Sequence, residues 1–310
     1  MAHITIVLAT YNPDWRFFEE QIQSIRNQTY SNWKCLVTDD SSSEYAGRIR
    51  EFLAGDSRFE YHVNSGTKGS VFNFEHGLSL VSPSCELVAL CDQDDVWEPE
   101  KLEKTVMVFA DSDVQLVHHD LRLIDSSGGQ IHPSCWQLEQ RDLASTPRDL
   151  LFRNSVTGCS SLFRTGLLNS ALPFASQKRP YFYHHDQWIA LVASLRGTIR
   201  VIPEPLVRYR QHGGNVVGAY LKARRSMSDK IGGFFRIAEK SQFAYASRWQ
   251  LAQDLKSRFS GEDRVTEASS CVESWWCMMA YLVPRMFTNR IWFGISLQMA
   301  LGCWVFRLKK

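Results

Sequence analysis

The chain has 310 residues, of which 44% are hydrophobic and 22% charged, with a formal net charge of +2. That length and composition suit a folded protein with a large core and exclude a disordered chain. The near-balanced charge argues against a nucleic-acid partner, although basic residues gather after position 220 and at the very end.

Eight cysteines (35, 85, 91, 135, 159, 271, 277 and 303) include no C-x-x-C pair, and several sit in apolar runs. A zinc site or a disulfide framework is not expected, and a reducing compartment is the simpler account. The start of the chain lacks a charged stretch followed by an apolar one, so no secretory signal is expected and the cytoplasmic side is the anticipated location.

In chain order, residues 4–9 form a β-branched run that ends at a turn, Thr10-Tyr11-Asn12-Pro13. Phe18, Ile22 and Ile25 give residues 15–28 helical spacing. A second strand, 35–38, is broken by Asp39-Asp40-Ser41-Ser42-Ser43, a cluster suited to cap a helix from about residue 44. A third strand at 59–63 leads to the loop 64–69, a helix at 71–80 and a fourth, wholly apolar strand at 87–91. Repeated β-α-β units imply a parallel sheet covered by helices on both faces.

From 111 to about 215 an α+β texture follows. A strand at 114–118 is expected to pair with one at 121–125, with a turn at 126–129. A glycine-entered strand begins at Thr157-Gly158-Cys159, a helix covers 186–195, and short strands are expected at 199–202 and 206–209. The chain divides into a catalytic region at 1–220 and a helical region at 221–310.

Ligands of open α/β sheets gather beyond the carboxyl ends of the strands. The polar clusters of the first half lie there: Asn12, Asp39-Asp40, the Lys68-Gly69 loop and Asp92-Gln93-Asp94-Asp95. Three carboxylates in four positions after a buried strand repel one another unless a cation shares them. Hard Mg²⁺ or Mn²⁺ needs such oxygen ligands and takes others from water and phosphates.

These four elements, in this order, resemble the family 2 glycosyltransferases of the GT-A fold, a Rossmann-like, mostly parallel sheet with flanking helices. The resemblance covers about the first 215 residues. It implies a nucleotide-sugar donor, bound by Thr10, Asn12, Asp39, Asp40, Lys68 and Asp92, with Asp40 matching the carboxylate that meets the base. Asp92 would lie near the ribose or the waters of the metal, and Asp94 would ligate the metal with help from His212. Asp186, in His184-His185-Asp186-Gln187-Trp188, fills the slot of the general base of an inverting transferase; the same Asp also suits a helix N-cap. Asp95, Gly158, Cys159, His185 and Trp188 are expected on the acceptor side.

The segments at 185–193 and 209–218 look most like bacterial rhamnosyltransferases of this family. These use dTDP-rhamnose and build O-antigen or related polysaccharide on a lipid carrier. The same fold with a UDP- or GDP-hexose donor is the alternative. Asp92-x-Asp94 also fits the nucleophile motif of haloacid-dehalogenase-like phosphatases, which carry it on their first strand, and a catalytically inactive membrane scaffold is the non-enzymatic reading.

Residues 291–306 are apolar, bracketed by Arg290 and by Arg307, Lys309 and Lys310, and too short to span a bilayer. They read as an interfacial helix that holds the protein on the inner leaflet beside a lipid-linked saccharide, or else as a lid on the catalytic region.

Overall fold

The computed structural model describes residues 2–174, 183–213 and 233–286, with 296–297, 299–300 and 303. The strands are β1 (Ile4–Thr10), β2 (Trp33–Asp39), β3 (Phe59–Val63), β4 (Leu87–Cys91), β5 (Val96–Trp97), β6 (Val114–Ile124), β7 (Gln130–His132), β8 (Ser161–Arg164) and β9 (Thr198–Arg210). The helices are α1 (Trp15–Arg26), α2 (Ser43–Leu53), α3 (Ser70–Ser79), α4 (Lys101–Met107), α5 (Cys135–Glu139), α6 (Pro147–Phe152), α7 (Leu168–Ala171), α8 (His185–Arg196), α9 (Gly233–Arg258), α10 (Asp263–Glu273) and α11 (Trp275–Met286).

One sheet runs in the order β3-β2-β1-β4-β8-β6-β9-β5, with β7 paired to β6. Its first half is parallel, as the alternation of strands and helices requires: β1 pairs with β2 and β4, and β2 with β3. Beyond β4 the sheet is mixed. β8 is antiparallel to β4 and β6, β7 to β6, and β5 to β9, while β6 and β9 are parallel. Four parallel and four antiparallel pairings correct the expectation of a mostly parallel sheet.

The period of two along a strand divides its side chains between two layers. Ile4, Ile6 and Leu8 of β1 join Phe18, Ile22 and Ile25 of α1 in one core, while Val7 joins Phe74 and Leu78 of α3 in the other. That second core also holds Leu150, Leu151 and Phe152 of α6, Trp188 of α8, and Tyr245, Val272 and Leu282 of α9, α10 and α11. The described C-terminal helices therefore share a core with the sheet.

Two pairs of short strands expected from the sequence are each one long strand. Residues 114–124 form β6 without the break expected near residue 119, because the polar run His118-His119-Asp120 is itself buried. Asp120 accepts from the backbone N–H groups of Leu121 and Trp136 and from Ser134 Oγ. Residues 198–210 form β9, in which Pro203 and Pro205 fall where the pairing with β6 shifts register, the position a residue without an N–H tolerates.

All eight cysteines are free thiols. Among the described residues no helix is long and apolar enough to cross a membrane. Most of the interfacial segment expected at 291–306, including Trp292 and Trp304, lies outside the described residues, as do Gly214 and Asn215.

Candidate active site

The carboxyl ends of β1, β2 and β4 lie side by side, because Thr10 is in register with Asp39 and Leu8 with Cys91. Thr10, Asn12, Asp39, Asp40 and the acidic run after β4 are thus neighbours. Gln93 ties two of these loops together: its Oε1 accepts from Thr10 Oγ1 at 2.9 Å and from Tyr11 N at 2.8 Å. Asn12, at φ 40°, accepts from Ser42 N while its own N–H donates to Ser41 Oγ.

The two carboxylates after β2 are saturated by protein donors. Asp39 accepts from Ser41 N at 2.8 Å and Tyr61 Oη at 2.6 Å. Asp40 accepts from Asn64 Nδ2 at 2.8 Å and from Gly69 N at 2.7 Å. Gly69 has a φ of 120°, which a side chain would resist, and this conformation delivers its N–H to Asp40 at the start of α3. Lys68 Nζ stands 3.7 Å from Asp40 and donates to Asn64 O, so the lysine expected at a phosphate is drawn to this loop. Ser42, the residue before α2, makes no side-chain capping bond, because the cluster expected to cap the helix instead folds on Asp39 and Asn12.

The acidic run after β4 behaves differently. Asp92 and Asp95 present oxygens within 4.8 Å of each other and of Cys159 Sγ. Burial and the charges of Asp94 and Asp186 push Asp92 up to about 7. Asp95, wholly buried beside Asp94 and Asp92, is raised well above the usual carboxylate range. One Asp95 oxygen accepts from Arg210 N at 3.0 Å, and among the described residues the other has no N–H or O–H partner, with the Cys159 thiol beside the carboxylate. Such a site gains from a cation.

Asp94 meets a residue from the far end of the chain: His212 Nε2 lies 2.7 Å from its Oδ2, just beyond β9. Asp94 and His212 stand outside the mutually close group of Asp92, Asp95 and Cys159; carboxylate oxygens and an imidazole are nonetheless the donor types that suit Mg²⁺ or Mn²⁺. Burial and the adjacent Asp95 and Asp92 charges raise the Cys159 thiol well above its usual range, and its soft sulfur suits a hard cation poorly.

Two cations that the sequence did not single out frame this cluster. Arg210 is 1% exposed; its Nε donates to Asp94 O, its Nη2 pairs with Glu20, and its guanidinium lies 4.4 Å from the centre of the Phe17 ring. Lys101, equally buried on α4, donates to Cys159 O at 2.9 Å and sits 3.1 Å over the centre of the Trp97 ring; burial lowers it to about 7. Arg210 follows Tyr209 and Lys101 stands among Glu100, Glu103 and Lys104, patterns that a solvated side chain shares.

Asp186 faces this cluster from α8. His184 stands at the N-cap without a capping side chain, and Asp186 lies one residue inside the helix, which corrects the capping alternative. Its Oδ1 accepts from Gln187 N at 2.6 Å and Asn154 Nδ2 at 3.1 Å, and its Oδ2 from Gly158 N at 3.3 Å. A Cβ on Gly158 would stand 3.1 Å from His185 Nε2, so the glycine lets the loop reach the helix start. His185 is buried and stacked on Phe74 at 4.1 Å, and burial lowers it to about 4, leaving the ring neutral.

Three acceptor-side expectations change. Trp188 is fully buried, stacks on Tyr183 and donates to Ala171 O, as a core residue. Asp95 and Cys159 are likewise buried, turned toward the acidic cluster beneath the surface. Asn154 was not expected, because a lone Asn in a loop carries no pattern.

Comparison with known proteins follows this geometry. A family model described as "Glycosyl transferase family 2" matches residues 5–169, more than half of the chain. An uncharacterized glycosyltransferase of Nostoc sp. is 29% identical over 68% of this chain and 66% of its own length. The Escherichia coli UDP-Glc:alpha-D-GlcNAc-diphosphoundecaprenol beta-1,3-glucosyltransferase WfgD is 27% identical over 58% of this chain and 68% of its own. The chain thus spans about two-thirds of the length of these curated relatives.

Among solved structures, S. aureus TarS 1–349 in complex with UDP-GlcNAc superposes with a TM-score of 0.59 at 13% identity, covering 90% of this chain and 73% of that one. The mannosyltransferase PcManGT of Pyrobaculum calidifontis, in complex with GDP-Man and Mn²⁺, gives 0.52 at 14% identity, over 99% and 88%. These two are likenesses of fold. The acidic run also follows the fourth strand of the chain, where a haloacid-dehalogenase-like nucleophile would follow the first. With more than half its residues matched by the family model, the chain belongs to glycosyl transferase family 2.

Proposed function

We propose that the protein is an inverting glycosyltransferase that moves a sugar from a nucleotide-sugar donor to a hydroxyl of a lipid-linked saccharide. The observation that carries this reading is the convergence of Asp92, Asp94, Asp95 and His212 at one strand end, with Asp186 facing them across the Gly158 loop.

The loops after β1 and β2, through Asn12, Asp40 and the Gly69 turn, bound the donor's nucleoside. Asp92, Asp94 and His212 would hold a Mg²⁺ or Mn²⁺ ion, which when bound neutralises charge on the donor diphosphate and the leaving nucleotide. Asp186 takes the proton from the acceptor hydroxyl as that oxygen attacks the anomeric carbon. A new C–O bond forms on one face of the sugar, the bond to the diphosphate breaks on the other, and its electron pair leaves with the nucleoside diphosphate. Asn154 and Gly158 aim the Asp186 carboxylate by donating to its two oxygens.

Resemblance of the segments around Asp186 and His212 to rhamnosyltransferases favours dTDP-rhamnose. The activity named for the E. coli relative WfgD favours UDP-glucose as the second reading. That relative, and an O-antigen biosynthesis glycosyltransferase, WbnJ, 27% identical over 40% of this chain and 48% of its own length, support a lipid-linked acceptor in cell-surface polysaccharide synthesis. Such an acceptor puts the enzyme at the cytoplasmic face of the inner membrane.

Thermal unfolding with a panel of nucleotide sugars and Mn²⁺ tests the donor. A donor that binds only the native state raises the melting temperature by mass action. The largest rise is expected with dTDP-rhamnose; a larger one with UDP-glucose selects the second reading, and no rise with any nucleotide sugar overturns the function.

A further inference from the structure

Two of the donors to Asp186, Asn154 Nδ2 and Gly158 N, stand at opposite ends of the loop 154–158. Residues 153–157 belong to no helix or strand, so their backbone carbonyls need donors from elsewhere. Most come from nearby. Val156 O accepts from Asn154 Nδ2 at 2.7 Å, Thr157 O from Ser160 Oγ at 2.8 Å and Gly158 O from Ser161 Oγ at 2.7 Å. The middle of the loop is held differently. Arg141 Nη1 donates to Ser155 O at 3.1 Å and to Thr157 Oγ1 at 2.7 Å. One guanidinium nitrogen thus fixes two residues that lie between the donors to Asp186.

Arg141 is itself anchored. Gln140, at φ 47°, ends α5 in the left-handed conformation, and Arg141 N turns back to Trp136 O at 2.9 Å. Its Nε donates to Glu139 Oε2 at 2.7 Å, and its side chain is 13% exposed. Arg153 Nη2 donates to Glu139 O at 2.9 Å, which ties the end of α5 to the start of the loop. The planar guanidinium carries five donors in fixed directions, so it holds Glu139 and the loop at once. A lysine ammonium is a point charge without that geometry.

We propose that Arg141 is a positioning residue for the transfer, setting the loop so that Asn154 and Gly158 aim Asp186 at the acceptor hydroxyl. The proposal rests on the reading of Asp186 as the base. A misplacement of about 1 Å in a catalytic group costs up to ~10²-fold in rate, so a slack loop is felt first in turnover.

The test is a double-mutant cycle on kcat, with donor KM and melting temperature measured beside it. Arg141→Lys is expected to lower kcat ~10-fold with donor KM unchanged. Thr157→Val, which removes only the hydroxyl that Arg141 holds, is expected to lower kcat in the same way. It leaves the Arg141–Glu139 pair whole and carries the cycle if Arg141→Lys does not fold. In an Asp186→Asn background neither substitution is expected to lower kcat further, because there is no base left to aim. An equal fold-loss in both backgrounds would mean that Arg141 only supports the fold. Unchanged kcat in the single variants would remove it from the reaction. Either result overturns the proposal and leaves Asp186 as the base. Wild-type turnover in Asp186→Asn overturns the base reading and the proposal with it.

Discussion

The carboxylates after β2 and those after β4 stand at the ends of strands separated only by β1, yet they do opposite work. Every oxygen of Asp39 and Asp40 receives a protein donor, and these bonds fix the loop that opens α3. The run after β4 has a buried Asp95 oxygen without an N–H or O–H partner among the described residues, and burial with mutual repulsion lifts Asp92 and Asp95. The difference teaches how to tell architecture from a poised site. The satisfied pair holds in shape the loops that border the proposed donor, while the crowded, under-satisfied run stores a repulsion that a cation relieves.

That contrast is broken most sharply at Asp94. Asp94→Ala is expected to reduce sugar transfer to background and to abolish Mn²⁺-dependent donor binding, with the fold intact by circular dichroism; Asp94→Asn, which keeps the shape without the charge, fails nearly as badly. Near-normal transfer by Asp94→Ala would contradict the cation role. Next in size is the base. Asp186→Asn should lower turnover by ~10²–10⁴-fold with donor affinity unchanged. Asn154→Ala should lower it less, because one of the donors that aims the carboxylate is gone. Turnover unchanged in Asn154→Ala removes Asn154 from that role.

On the architectural side, Asp40→Ala leaves Gly69 N without its acceptor and removes one of the two acceptors of Asn64 Nδ2, the other being Thr67 O. It should lower stability by ~1–3 kcal/mol in urea unfolding, whereas Asp94→Ala should not. Equal losses would erase the distinction.

The smallest effect is the pH dependence of metal binding. A carboxylic acid raised from 3.8 to about 7 holds its proton below that pH, and a cation must displace it. The apparent Mn²⁺ affinity should be flat above pH 7 and fall by up to ~10-fold per unit below it for each proton released. An affinity constant from pH 8 to 5.5 would mean that Asp92 is not among the ligands.

The parallel half of the sheet was legible because β1, β2 and β4 contain short apolar runs and β3 alternates apolar with polar residues, each ended by its own polar cluster. β6 and β9 were not. Their polar and proline residues look like breaks, and only the long pairing between them hides His118, His119 and Asp120. In the site, the carboxylates announced themselves by crowding. Gln93, Asn154, Lys101 and Arg210 did not, since each acts through a partner distant in sequence: 83 residues for Gln93 with Thr10, 32 for Asn154 with Asp186, 58 for Lys101 with Cys159 and 116 for Arg210 with Asp94. Trp188 misled for the converse reason, as a helix-start aromatic that packs inward.

Direct titration of Mn²⁺ into the metal-free protein at pH 7.5, followed by electron paramagnetic resonance of the free ion, probes the central contrast. The account predicts one site per chain, weakened at least ~10-fold in Asp92→Asn and in Asp94→Ala and unchanged in Asp186→Asn. Binding that persists in both of the first two variants, or is absent from wild-type protein, would contradict it.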